Sequence, residues 1–370
     1  MIQVENILLK NKERACIKEI YHMTNNKKYT WAVVGAGPGG MTAIGLLLDA
    51  GVPCKDILWI DPYFQVGDFG RLWGEVNSNT RVALFHDFLH GIHSFQYTKK
   101  PREFPLDEFD KNGFTLLKYV TDSLTWITEH LREKVVTQQT VVNALSVEEG
   151  AWQLQTDNGH FYAEKVILAT GSESKSLDHP NVKKIDLVTA LSPNELQKTV
   201  EKNDVVAVFG SSHSAMIVIR NLVEAGVKKI VNFYLSPLKF AVLMDDWILY
   251  DDTGLKGDTA KWVRENISQR LLPKISRYLA TPENIDAQLS SCNKAIYTVG
   301  FQPRHITVEG VSLSQYDTSN GIIAPGLFGI GIGFPVVVTD PFGRREANVG
   351  LWKFLKNMRR TLPLWVKYGL

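Results

Sequence analysis

Gly35-Ala36-Gly37-Pro38-Gly39-Gly40 follows the apolar run Thr30–Val34 and precedes MTAIGLLLDAG, whose helical apolar spacing stops at Gly51. An apolar strand running into G-x-G-x-x-G and then a helix aims backbone N–H groups and a helix dipole at a pyrophosphate. Gly35 permits the tight turn, Gly37 lets the backbone approach the phosphates, and Gly40 lets helix and strand pack closely. Pro38 and Gly39 open the helix between them. A second apolar run, Ile57–Ile60, ends on Asp61, about 20 residues past Gly40, the spacing at which a carboxylate clamps a ribose hydroxyl.

A degenerate copy of this unit comes later. Asp204–Phe209 leads into Gly210-Ser211-Ser212-His213-Ser214-Ala215, then MIVIRNLVEAGV and the apolar run Ile230–Tyr234. Ser212 replaces the middle glycine and Ala215 the third. This second run ends Tyr234-Leu235-Ser236, with no carboxylate at the clamp position. A carboxylate there would repel a 2′-phosphate, so the pattern favours NADPH over NADH. Ser236 and Lys239 could meet such a phosphate; the alternative for Lys239 is an ordinary solvated lysine. His213 opens the helix beside the nucleotide, where contact with phosphate and plain solvation or packing stay open.

The elements between must carry these turns. Leu116–Leu131 has helical spacing. VVNALSV, AWQLQT and FYAEKVILATG read as a strand meander, with turns at Glu149-Gly150 and Asp157-Asn158-Gly159. Ser192-Pro193-Asn194-Glu195 reads as a capping box opening a short helix. Ala295–Gly300 is a further strand ending in glycine, Leu327–Gly333 a third glycine-rich turn, and an amphipathic helix is expected from about Glu346 to Met358. The fold class this order predicts is α/β. A first Rossmann-like domain, 1–172, is interrupted by a second, 173–294, and completed by 295–370.

Composition agrees. The 370 residues suit roughly two domains, and 44% hydrophobic content excludes disorder. Lys+Arg 41 against Asp+Glu 39 is too balanced to point to nucleic acid. No apolar run reaches the roughly 18 residues of a membrane span. The N-terminal MIQVENILLKNKERACIKEIYHM has no signal-like apolar core, so a cytoplasmic protein is expected.

This order resembles that of the two-dinucleotide-binding-domain flavoproteins: the pyridine nucleotide-disulfide reductases, the flavin-containing monooxygenases and the N-hydroxylating monooxygenases. The resemblance runs from residue 30 over nearly the whole chain. It implies FAD on the first unit, NADPH or NADH on the second, and Ala169-Thr170-Gly171 at the crossing between them. Tyr297–Pro303 looks like the matching glycine-ended strand, and Gly326-Leu327-Phe328 leads to a last FAD contact at Gly331 and Ile332.

The cysteines separate the branches. Disulfide reductases carry a C-x-x-C or C-x4-C pair, whereas Cys16, Cys54 and Cys292 are far apart in sequence. Gly70-Arg71-Leu72-Trp73-Gly74, then Ser78-Asn79-Thr80 and Asp87-Phe88, is similar to the progression in flavin-containing monooxygenases. The resemblance implies that Asn79 lies over the flavin ring and hydrogen-bonds the oxygen bound there, with Arg71 and Trp73 beside the cofactor. The alternatives are that Asn79 caps a loop and that Arg71 is a surface ion pair. Gly331 is followed by Ile332 rather than the reductases' aspartate. The fingerprint F-x-G-x-x-x-H-x-x-x-Y/F is missing between Gly171 and Gly210, where only His179 occurs.

His86, His90 and His93 would share one helical face. A pocket wall, surface histidines, an acid–base role and a metal site stay open for them, with no companion ligands to favour metal. The expected function is an FAD-dependent NAD(P)H oxidoreductase, monooxygenase-like, acting on an unidentified small molecule. The alternatives are a plain NAD(P)H-dependent reductase and a flavin-binding protein with little turnover.

Overall fold

The computed structural model describes residues 27–370; the N-terminal expectation and Cys16 lie outside these. In chain order, β1 (Lys28–Val34), α1 (Pro38–Asp49) and β2 (Ile57–Ile60) form the first βαβ half-unit. Next come α2 (Val82–Gly91), α3 (Leu117–Arg132), β3 (Val136–Gln138) and the meander β4 (Val142–Glu148), β5 (Ala151–Thr156), β6 (Gly159–Leu168). The second group is β7 (Lys183–Ile185), β8 (Val205–Phe209), α4 (His213–Ala225), β9 (Lys229–Tyr234), β10 (Ile275–Leu279) and β11 (Lys294–Tyr297). The chain ends with β12 (Thr307–Val308), β13 (Ile322–Ala324), β14 (Leu327–Gly329) and α5 (Leu351–Lys367).

Two parallel sheets result. One runs β3-β2-β1-β6-β14, extended by the antiparallel β5, β4 and the edge strand β12. The other runs β10-β9-β8-β11-β7. The order reverses at β1/β6 in one sheet and at β8/β11 in the other. That reversal opens the crevice in which α/β sheets bind ligands. Every strand of the second sheet falls between residues 183 and 297, and the first sheet takes strands from both sides of it. The two crossings run side by side as an antiparallel ribbon, Ser172–Ser174 with Phe301–Pro303.

Burial follows the strand pattern. Trp31 and Val33 point into the core shared with α1, α2, α3 and α5, while Ala32 and Val34 point to the meander side. Strands covered on both faces read as continuous apolar runs, as these do. The second sheet likewise buries Val206 and Val208 against α4, and Ala207 and Phe209 on the opposite face.

Two local expectations differ from the structure. The C-terminal helix begins at Leu351, because Arg345–Ala347 pairs as a strand with Val337–Thr339. It also runs through Pro363 to Lys367, with Trp365 stacked on Phe328. The helix Pro193–Thr199 has proline at its first turn but no side-chain cap from Ser192.

The tightest packing is at the first glycine turn. A Cβ on Gly40 would stand 1.9 Å from the Gly35 carbonyl oxygen. Gly40→Ala is therefore expected to cost about 3 kcal/mol through overpacking. Gly150→Ala, at φ +73° with open space around it, should cost only about 1 kcal/mol. Urea midpoints of the two variants, at unchanged slope, check the contrast.

Candidate active site

Both glycine turns face one cleft of about 1720 Å³. At the first turn, Gly35 takes φ +107°, and a Cβ there would meet the Ala169 carbonyl at 2.3 Å. Gly37 and Gly39 present bare Cα groups at the start of α1, and Gly39 packs against Gly331, which takes φ +88°. These small contacts bring three chain segments together under the α1 N-terminus, where backbone N–H groups are free for an anion.

Asp61 is 7% exposed and heavily engaged. Its carboxylate accepts from the Ala36 N–H at 2.7 Å, the Tyr63 N–H at 2.8 Å and the Phe64 N–H at 2.6 Å. A carboxylate has about four acceptor sites, so three are spent on holding the turn and its own loop. Trp59 Nε1 donates to the Gly35 carbonyl at 2.9 Å from below. Spacing does not reveal this second brace, because a tryptophan in an apolar strand reads only as core.

Around the cleft, Arg71, Trp73, Asn79, Thr170, Gly171 and Ile332 all line the wall. The Arg71 guanidinium lies 4.0 Å from the Tyr63 ring centroid and 3.8 Å from Asp68. Trp73 packs on the core of the second unit and edge-on to Phe301. Asn79 is exposed at the wall; its Oδ1 accepts from the Thr80 hydroxyl at 3.3 Å, and its amide nitrogen donates no hydrogen bond among the described residues. The Thr170 hydroxyl is buried without a partner. Spacing did not reveal Arg304, which donates from its backbone to the Gly171 carbonyl at 3.1 Å and pairs with Asp68 at 2.6 Å.

The second turn contributes His213 and Ser214 to the cleft wall, from the first turn of α4. Neither ring nitrogen of His213 has a hydrogen-bond partner. Burial, with the Lys256 charge adding to it, lowers its pKa to about 4, so the imidazole is neutral near pH 7. Gly210 takes φ +130° under Thr298, and Ser212 sits exposed as the N-cap; both hold the turn outside the cleft wall. The Ala215 side chain is fully buried in the second core, so it packs rather than faces the cleft. It occupies the place of Gly40, where close helix packing decides the residue.

Helix α2, whose Ala83, Leu84 and Phe85 line the cleft, ends at Gly91, which leaves His93 off the face shared by His86 and His90. His93 donates its backbone N–H to Asp49. His179 stacks on Phe209 and shares a 2.8 Å hydrogen bond with the Tyr297 hydroxyl.

One side of the cleft is closed by charge. Asp251 accepts from Lys256 at 2.5 Å and from Lys353 on α5 at 2.6 Å. Burial alone would raise the Asp251 pKa, but the two ammonium groups hold it below the usual carboxylate range. Asp252 takes Arg344 at 2.8 Å, and Glu346 accepts from the Asp251 N–H at 3.0 Å. These contacts tie the 251–256 segment to the C-terminal 344–353 segment.

The profile described as "Pyridine nucleotide-disulphide oxidoreductase" matches residues 29–239. The chain belongs to that family. With it, the chain belongs to the two-dinucleotide-binding flavoproteins, oxidoreductases that use FAD and NAD(P)H. Across 93% of the chain and all of the relative's length, it is 31% identical to Monooxygenase AgnR1 of Paecilomyces divaricatus. In fold it is similar to a flavin-containing monooxygenase from Stenotrophomonas maltophilia, at TM-score 0.64 and 14% identity over 92% of this chain and 99% of that one. A thioredoxin reductase of Lactococcus lactis aligns over the same shares at TM-score 0.56 and 13% identity.

The residues present fit the family's cofactors. The bare Cα groups at the first turn, the orphaned Thr170 hydroxyl and the unpartnered His213 ring all lie on the cleft wall. The family's dithiol has no counterpart among the described cysteines: Cys54 is exposed, Cys292 is buried, and both are free.

His213 also makes a pH prediction. Its folded pKa lies below the ordinary histidine value, so the unfolded chain takes up the proton first. Stability contributed by the neutral ring is then lost as pH falls from about 6.5 toward 4. His213→Gln should remove about 2 kcal/mol of that acid-side loss, read as a flatter denaturation midpoint against pH than wild type shows.

Proposed function

We propose that this protein is an FAD-dependent, NAD(P)H-using, monooxygenase-like oxidoreductase that prefers NADPH. The observation that carries the reading is the single cleft faced by both glycine turns, with Asn79 on its wall and no dithiol among the described cysteines. The 31% identity to a relative named as a monooxygenase supports it. We assign 27–172 and 298–370 to the FAD-binding part and 173–297 to the nicotinamide-binding part; the expected boundary at 294 moves because the strand Lys294–Tyr297 pairs wholly within the second sheet. The described cysteines are free, which suits a reducing compartment, so the cytoplasm is the proposed location.

FAD bound there would accept a hydride from the nicotinamide and deliver electrons to oxygen. The α1 N-terminus with Gly37 and Gly39 would take the pyrophosphate. Asp61 keeps the turn in shape and has one acceptor site left for a ribose hydroxyl. The Thr170 hydroxyl and the Arg71 guanidinium would satisfy polar groups of the cofactor. The Asn79 amide would donate to the oxygen being activated, and Leu84, Phe114, Trp352 and Phe354, which line the same cleft, would help exclude water. The neutral His213 ring and Ser214 would receive the dinucleotide at the second turn.

Anaerobic reduction of the yellow protein, followed by admission of oxygen, tests this. NADPH should bleach the visible flavin band faster than NADH, and oxygen should then be consumed without an equal yield of free peroxide. Asn79→Ala should keep the bleaching rate but release peroxide about a hundredfold faster, the typical effect of one lost donor. If wild type returns all its electrons as peroxide, the oxygenase reading fails and a plain reductase remains.

A further inference from the structure

The two glycine turns can be laid on each other through their hydrogen bonds. The Gly35 N–H donates to the Ile60 carbonyl and the Gly210 N–H to the Phe233 carbonyl, each at 2.8 Å. Trp59 holds the Gly35 carbonyl at 2.9 Å, and the Asn232 amide holds the Gly210 carbonyl at 2.8 Å. The Ala169 N–H donates to Val34 as the Thr298 N–H donates to Phe209. This correspondence sets Tyr234 in the place of Asp61, the position beside a ribose 2′-group in such units.

A cation lies on that position. The Arg277 guanidinium carbon is 4.8 Å from the Tyr234 ring centroid. Arg277 stands on β10 in register with Asn232 and donates from Nε to the Asn232 side-chain oxygen at 2.9 Å. The same Asn232 amide donates to the Gly210 and Val208 carbonyls. The guanidinium is thus fixed to the turn through one intermediate side chain. It has no carboxylate partner among the described residues, and its Nη2 is buried without a hydrogen bond. Arginine remains charged in proteins, and a partly buried charge without a counter-ion is costly. An anion arriving at this point would relieve both deficits. The residue stays partly exposed, so it can be reached from solvent.

We infer that Arg277, stacked on Tyr234 and positioned by Asn232, selects a 2′-phosphorylated adenosine ribose over a 2′-hydroxyl at the second turn. The inference rests on reading that turn as the NAD(P)H site, and names what decides between the two coenzymes. Of the residues expected from sequence, Lys239 is engaged elsewhere, and Ser236 is tied to the second turn through its backbone carbonyl. The Ser236 carbonyl accepts from Ser211 at 3.0 Å, and the Lys239 ammonium sits 5.2 Å from the Tyr250 ring centroid.

Calorimetric titration of the FAD-loaded protein with adenosine 2′,5′-bisphosphate and with 5′-AMP tests the inference. One charge-assisted contact is worth about ten- to a hundredfold in affinity, so wild type should prefer the bisphosphate by about that factor. Arg277→Met should bring the ratio near one while leaving 5′-AMP binding unchanged, which also reports an intact turn. Arg277→Lys should keep a reduced preference that falls more steeply with salt. Equal binding by wild type, or an unchanged ratio in either variant, overturns the inference and leaves the nucleotide site standing. If wild type binds neither nucleotide, the proposed function falls with it.

Discussion

The carbonyl of Gly35 is where the first unit is most constrained. Helix α1 must begin close enough to it that any side chain at position 40 would collide. Trp59 donates to that oxygen from the neighbouring strand, while Asp61 pulls on the next N–H of the turn. The strand end, the helix start and the loop after β2 are therefore fixed by the same few atoms. The second unit meets the same need with different chemistry: Asn232 in place of Trp59, a threonine packed over Gly210, and Ala215 in place of Gly40.

That constraint explains why the cleft can hold polar groups with no partner in the protein. A buried hydroxyl or imidazole without a hydrogen bond costs free energy, and it persists where packing around it is otherwise settled. Thr170 and His213 sit on backbones held by glycine turns and sheet hydrogen bonds, so neither can rotate away cheaply. The ion pairs of Asp251 with Lys256 and Lys353 work at a larger scale, fixing a segment of the inserted unit against the C-terminal helix.

Much of the fold was legible because it is local. Apolar runs ending in glycine, helical spacing between them and turn residues in the meander are properties of neighbouring residues, and the strands appear where they predict. The start of the C-terminal helix was not, because Arg345–Ala347 is claimed by a strand partner. Ser192 looked like a cap but makes no capping hydrogen bond. Spacing suggested that three histidines share a face, and a helix ending at Gly91 removed one of them.

The sequence by itself determined that two glycine turns of one kind exist, which is degenerate, and that a short-spaced cysteine pair is missing. Those conclusions need only covalent spacing and the backbone freedom of glycine. Only the tertiary structure decided what each turn meets. It spent Asp61 on backbone amides, sent Ala215 into the core, and brought Arg304 to Asp68 and Arg277 to Tyr234. The physical reason is that parallel strands pair residues tens of positions apart, and side chains alternate between faces. An arginine read alone in a sequence therefore says nothing of whether an anion, a carboxylate or water will answer it.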